Sequence, residues 1–338
     1  GNPFSGYIHS LQFYDKAFSA ADVKAAYEEK SDTDDKISFD GELALKTRIL
    51  SPSLIEVMVV DEKGEKIESG LLTYQFGTTS DKAATECAMS EGTNNSSLLL
   101  STDGKSEQKC FVTITDDSGT FKKTLTLDVN IPEGMFTHFA DDFSGNTHNW
   151  DGVNLPKKAT VSVENGVLKL TSAGTNFNVN KAENGVLQYK EVKGDFIVQG
   201  KVAAMAGEEE KKSPAYNEGG ILVLDDSNAS AQTILQIGAF PSYNCGNMLT
   251  VVGPHIGRPQ FPSANGWDYN PYVQIERIGD VFYIRTSFDG KTWTDKAGSP
   301  VELKELAGKT LKVGFYHTTY SDTEGWVAFD DFNLWQKK

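Results

Sequence analysis

The sequence predicts an all-β chain: a short strand–helix segment, then a small β-sandwich, then a larger one. Three observations carry that expectation. From residue 37 onward, apolar and polar residues alternate in short runs, the period of a strand and not of a helix. Turn signals built on Gly, Asn and Asp separate those runs at short intervals. Across the larger unit, helical periodicity is missing apart from one possible turn at "LKELAG".

The elements follow in order. "GYIHSLQFYDKAFSAADVKAAYEE" (residues 6–29) reads as a strand followed by a short helix opened by Ser19. A lone piece of that size is not stable, so it must pack on a neighbouring unit. The charged run "EEKSDTDDK" (28–36) reads as a linker, giving a first segment over 1–36. Residues 37–133 hold "LIEVMVVDEKGEKI", "LLTYQFGTT" and "CFVTITDDSGTFKKTLTLDVN". The last is a hairpin, with Phe111 and Ile114 before its "DDSG" turn and Leu125, Leu127 and Val129 after it. That spacing suggests an immunoglobulin-like sandwich, read here as a spacer. A Pro-Glu-Gly turn in "NIPEGMF" ends it. Residues 134–338 supply ten or more further strand candidates, too many for an immunoglobulin-like unit and enough for a two-sheet jelly roll with antiparallel pairing.

Bulk properties narrow the partners. A formal net charge of -15 argues against nucleic acid and against an anionic membrane surface, both of which call for concentrated Lys and Arg. No run of 18 apolar residues exists to span a bilayer. Gly1-Asn2-Pro3 is not a natural start. The expectation is a secreted, periplasmic or cell-surface protein whose targeting segment, and any surface attachment, precedes residue 1. Of the three cysteines, Cys87 and Cys110 are a candidate disulfide, worth about 3 kcal/mol by loop closure. Cys245, in "SYNCGNM", reads as a lone thiol.

Hydrolysis of a glycosidic bond on a β-sandwich requires two carboxyls facing each other, about 5 Å apart in a retaining enzyme. Alternate positions on one strand would supply them, and no Glu-x-Asp-x-x-Glu pattern is present. "EEEKK" (208–212) reads as a solvated charge run, and the adjacent Asp330 and Asp331 point to opposite faces of a regular strand. Glu218 and Glu276 are the best carboxylates for an enzyme. "SFDGKTWT" (287–294) resembles a sialidase Asp-box but is one residue short; Asp289-Gly290 suits a type I′ turn that folds Trp293 back.

Saccharide binding needs aromatic faces together with planar amides and carboxylates. The loops of the larger unit offer Tyr216, Asn217 and Glu218 in "PAYNEGG", Tyr243 in "FPSYN", Trp267, Tyr269 and Tyr272 in "GWDYNPY", and Tyr316, His317 and Tyr320 in "FYHTTY". Gln236 and Gln274 add strand amides. With Val273 and Ile275 facing the core, Tyr272, Gln274 and Glu276 share the opposite face, a groove floor if that face is concave. His317 reads equally well as an interior histidine, and Trp150 and Trp326 as packing residues. Asp141 or Asp142 at the start of the unit and Asp330 or Asp331 at its end suggest a structural calcium, with Asp142 and Asp331 as ligands; turn-capping acids are the alternative.

"DDFSGNTHNW", "VENGVLKLTS", "EGGILVLDDSN", "VQIERIGDVFYIRTSFDGKTWT" and "LKVGFYHTTYSDTEGWVAFDDFNLW" follow one another in order. Over residues 140–336 they resemble the concanavalin A-like lectin/glucanase domains found alone or appended to glycoside hydrolases, including the accessory sandwich of family 43 enzymes. Residues 4–29 resemble the closing strand and helix of a laminin-G-like domain, and the hairpin before residue 131 resembles bacterial Ig-like modules. The resemblance implies an extracellular jelly roll bound to polysaccharide or glycoconjugate. Without the glucanase acid pair, it implies a non-catalytic lectin-like protein. A glycoside hydrolase of the same fold and an adhesion module binding protein are the alternatives.

Overall fold

The computed structural model describes residues 42–338 apart from 52–53, 66, 68–71, 78–87, 92–97, 102–106, 117–121, 131, 146–147, 176–184, 229–231 and 264–265. The N-terminal strand–helix expectation and Cys87 lie outside the described residues. Among those residues no helix is long and apolar enough to cross a membrane.

Among the described residues the first unit shows strands β1 (Ala44–Ser51), β2 (Leu54–Val60), β3 (Leu72–Gly77), β4 (Ala88–Glu91), β5 (Leu98–Ser101), β6 (Glu107–Asp116) and β7 (Lys122–Asn130). They form two antiparallel sheets, in the orders β1-β2-β5-β4 and β3-β6-β7. The expected hairpin is β6–β7, with Cys110 opposite Leu127 and Thr113 opposite Thr124. On β2, Val57 and Val59 alternate inward with the strand period.

The second unit begins with β8 (Phe136–Asp141), β9 (Gly152–Asn154), β10 (Ala159–Glu164), β11 (Val167–Ser172), β12 (Val186–Lys193) and β13 (Phe196–Met205). It continues with β14 (Glu218–Asp225), β15 (Thr233–Ala239), β16 (Asn247–Val252), β17 (Gln260–Pro262), β18 (Tyr272–Ile278) and β19 (Val281–Ser287). The last strands are β20 (Thr294–Asp295), β21 (Val301–Glu302), β22 (Thr310–Thr318) and β23 (Gly325–Lys337). A nine-stranded sheet runs β10-β11-β23-β13-β18-β19-β20, with β8 beside β23 and β21 beside β19. A seven-stranded sheet runs β17-β16-β15-β14-β22-β12-β9. Between them lies one core, in which Leu168, Ile221, Leu235, Ile275, Phe315 and Phe329 are fully or nearly fully buried. "LKELAG" contributes a single 3₁₀ turn, Lys304–Leu306.

Local chemistry explains several connections. Asn165 and Gly166 both have positive φ (54° and 77°), the two-residue turn that sets Glu164 opposite Val167 in the β10–β11 hairpin. Asp289-Gly290 does not repeat it: Gly290 has φ 73°, and Asp289 keeps a negative φ. Instead the Asp289 carboxylate accepts from the Lys291 and Thr292 amides and from the Ser287 and Thr292 hydroxyls. Trp293 does fold back and is buried with Leu50, Leu54, Ile197 and Trp335.

The end of the chain is irregular where a regular strand was expected. Lys201 pairs with Asp330 and Gln199 with Asn333, so three steps on β23 match two on β13. This bulge puts both Phe329 and Phe332 into the core and leaves Asp330 and Asp331 together on the outward side. The two carboxylates are therefore not on opposite faces.

Candidate functional site

The outward face of the nine-stranded sheet is not an open groove. Val273 and Ile275 enter the core as expected, and Gln274 and Glu276 point the other way. Strands β1 and β2 of the first unit cover them. Arg48 donates to Glu276 (2.8 Å) and to Glu56 (2.5 Å). Arg285 donates to Glu276 (2.9 Å), Gln274 (2.9 Å) and Asp295 (3.2 Å). Gln274 in turn donates to Gln199 (3.2 Å). Tyr272 packs against the cluster that holds Leu50, Leu54 and Trp293, and its hydroxyl lies 3.5 Å from Asp331. Tyr272, Gln274 and Glu276 thus belong to the junction between the two units. Glu276 and Glu218 lie on different sheets and cannot flank one glycosidic bond.

At one rim of the seven-stranded sheet, three loops meet. Tyr216 precedes β14, Tyr243 follows β15 and Tyr320 follows β22, and their exposures are 41%, 69% and 37%. Ring centroids lie 5.0 Å apart for Tyr216–Tyr243 and 4.7 Å for Tyr216–Tyr320, with Phe240 stacked behind Tyr216 at 6.1 Å. The Ser242 hydroxyl sits 3.2 Å from that of Ser213 and donates to the Pro214 carbonyl, which ties the loops together. Tyr216 (φ 56°) and Tyr243 (φ 58°) both occupy the left-handed region, where a side chain costs about 1–2 kcal/mol.

Beneath the rim, Glu218 opens β14. Its Oε1 accepts from the Tyr316 hydroxyl (2.6 Å) and from Gln236 Nε2 (3.0 Å). Among the described residues no donor reaches Oε2. Tyr316 lies across Gly238, where an added Cβ would stand 2.7 Å from the phenol oxygen. Burial pushes the Glu218 carboxyl up to about 7, although Tyr316, Gln236 and the charge of Arg258 work in the other direction. Arg258, exposed in the loop after β16, lies close enough to Tyr320 and Glu218 for its charge to act on both. Burial and the nearby Glu218 raise the Cys245 thiol, which leaves it a poor nucleophile.

Six expected residues therefore meet here: Tyr216, Tyr243, Tyr320, Glu218, Gln236 and Tyr316. Asn217 and His317 are interior instead. His317 Nε2 meets Asn217 Oδ1 at 2.9 Å and its Nδ1 meets Ser172 Oγ at 2.9 Å, and burial depresses the imidazole to about 3. Trp267 is half-buried against the core with the Lys211 ammonium 5.4 Å from its ring centre, and the Tyr269 hydroxyl donates to Glu208 (3.4 Å). Their loop packs inward because the jelly-roll core continues beneath it. Arg258 was not among the expected residues. A single cation in a Gly/Pro turn has no periodic signature, and its only signal is scarcity, since the chain has four arginines.

Asp142 and Asp331 do converge. Pairing of Asp141 with Phe332 brings the first and last strands together around a hollow of about 470 Å³ lined by Asp141, Asp142, His148, Asp331 and Asn333. Asp141 is committed to His148, to the Trp150 indole N–H and to the Phe143 amide. Asp142 is capped by Ser144, whose two donors hold its carboxyl below the usual range. Among the described residues, no three His, Cys, Asp or Glu side chains converge as metal ligands, so the donors in place fall short of a calcium shell.

No family model matches the chain, and no curated protein matches it. Among solved structures the chain is similar to a xylan β-1,4-xylosidase from Bacillus halodurans C-125, at 11% identity and a TM-score of 0.42, over 87% of this chain and 64% of that one. It spans, in other words, under two thirds of the xylosidase. It is also similar to a non-specific endo-β-1,3(4)-glucanase of family GH16, at 12% identity and TM-score 0.37, over 62% of this chain and 94% of that one. A laminarinase from Flavobacterium sp. UMI-01 matches at 8% identity and TM-score 0.37, over 59% of this chain and 99% of that one. At such TM-scores nothing about this chain follows from them.

Proposed function

We propose that the chain is an extracellular saccharide-binding module that holds polysaccharide or glycoconjugate without cleaving it, and that the ligand sits on the rim formed by Tyr216, Tyr243 and Tyr320. One observation carries this reading: three exposed rings, two of them in strained backbone, stand over a carboxyl whose Oε2 has no donor among the described residues. Strained, exposed aromatics are costly for folding alone and are expected where a ligand needs them. Sugar C–H faces pack on such rings, and Glu218 Oε2 is placed to accept from a hydroxyl. Among the described residues no second carboxyl faces Glu218, and Glu276 lies on the other sheet, which supports binding over hydrolysis.

A glycan array followed by calorimetry tests this. Tyr216→Ala is expected to weaken the best ligand about tenfold or more, as for an aromatic at the centre of an interface. Tyr243→Gly is expected to weaken it too, while leaving stability unchanged or raising it by about 1 kcal/mol, because Gly accepts the left-handed backbone. Unaltered affinity in both variants would sink the rim as the site.

One observation favours hydrolysis as a second reading: a carboxyl at about 7 suits a general acid at neutral pH. Release of reducing sugar that disappears in Glu218→Gln would establish it. Calcium at the hollow of Asp142 and Asp331 is a separate proposal, supported by the meeting of the first and last strands there. Melting in excess calcium against chelator checks it: a rise that is absent in Asp331→Asn supports the ion, and identical curves remove it.

A further inference from the structure

The four arginines divide sharply by use. Arg48 is held by Glu56 and Glu276, and Arg285 by Glu276 and Asp295. Arg277, 1% exposed, donates to the carbonyls of Gly279, Leu306 and Lys309. These three serve the fold. Arg258 is exposed, and among the described residues no carboxylate lies within ion-pair distance of it. It lies beside Tyr320, at the rim proposed to hold the ligand, and its charge acts on Glu218 as well. A guanidinium carries five N–H donors in a planar fork that matches a carboxylate, and among the described residues no carboxylate pairs with this one. It is placed beside exposed rings on a chain whose net charge is -15, where most of the surface repels anions.

We propose that the rim selects an acidic saccharide, a sugar bearing a carboxylate, and that Arg258 binds that carboxylate while Tyr216 and Tyr243 carry the sugar faces. The proposal rests on the saccharide-binding reading and adds the ligand's charge to it. The groups facing Glu218 sharpen the consequence. From β22 comes Tyr316, from β15 Gln236, and from the loops Tyr320, Cys245 and Arg258. Tyr316, Tyr320 and Cys245 are all raised and hence neutral near pH 7, which among the described residues leaves Arg258 as the charge offsetting Glu218. A carboxylate that engages Arg258 removes this offset, so Glu218 takes up a proton on binding. A neutral sugar that donates a hydroxyl to Oε2 favours the ionised carboxyl and has the opposite effect.

The test is calorimetry on the full chain near pH 7, in two buffers of different ionisation enthalpy. The probes are oligosaccharides of polygalacturonate, alginate, hyaluronate and glucuronoxylan, each beside its carboxyl-reduced counterpart. At least one native oligosaccharide is expected to bind about tenfold or more tightly than its reduced form, the scale of a charge-assisted pair. Arg258→Gln is expected to abolish that difference, and Glu218→Gln to abolish the proton uptake. Equal affinity of native and reduced forms throughout, binding of the reduced forms alone, or equal weakening of both by Arg258→Gln would overturn the proposal and leave saccharide binding standing. Failure of every native and reduced oligosaccharide, together with a blank neutral-glycan array, would bring down both.

Discussion

Arg285→Ala is expected to lower stability by about 3–5 kcal/mol, the cost of stripping the partner from a buried charge network. The residue is 3% exposed, and its guanidinium serves Gln274, Glu276 and Asp295 at once. Without it, Glu276 keeps only Arg48, from the other unit, and Asp295 loses the cation that counters its burial. Arg48 is more exposed and engages Glu276 through one nitrogen, so Arg48→Ala is expected to cost less. Denaturant unfolding of both variants checks the order. A loss under about 1 kcal/mol in Arg285→Ala would mean that the junction is held by Leu50, Leu54, Ile197, Trp293 and Trp335 and not by charge.

Glu218→Gln is expected to stabilise the fold at pH 8 by on the order of 3 kcal/mol and to leave it unchanged near pH 4. The carboxyl moves from 4.5 to about 7 on folding, and each unit is worth about 1.4 kcal/mol. Because the folded value is the higher one, the penalty is absent below 4.5 and grows as the pH rises to 7. His317 works in the opposite sense. Its folded value of about 3 lies below the ordinary 6.5, so its contribution is present above 6.5 and is lost as the pH falls. Between 4.5 and 6.5 the folded chain carries the Glu218 proton and the unfolded chain the His317 proton, so the two slopes cancel. Removing Glu218 exposes the other slope: stability of the variant should rise by about 1.4 kcal/mol per pH unit across that window. Melting curves at three pH values suffice, and a flat profile for the variant would show that the His317 shift is absent.

Much of the strand inventory is legible in the sequence because alternation is a local property. "YVQIERIGDVFYIRTS" became β18 and β19 with Val273 and Ile275 inside, and "CFVTITDDSGTFKKTLTLDVN" became the β6–β7 hairpin. Strands β1, β4, β5, β8 and β12 were not read from the sequence, nor were the short strands β9, β17, β20 and β21, in which two or three residues show no period. The Asp330-Asp331 face was misread for a related reason. A bulge is decided by the register of β23 against β13, far away in sequence.

The residues themselves determined an acidic all-β chain with sandwich-like sheets, and the inward side of strands such as β18. Only the tertiary structure decided which outward faces meet solvent. Strand periodicity says that Tyr272, Gln274 and Glu276 share a face, but Arg48 and the first unit cover it. It is equally silent on loops, where Tyr216, Tyr243, Tyr320 and Arg258, widely separated in sequence, gather over Glu218. Period is written between neighbours, whereas burial depends on whatever the rest of the chain brings to the surface.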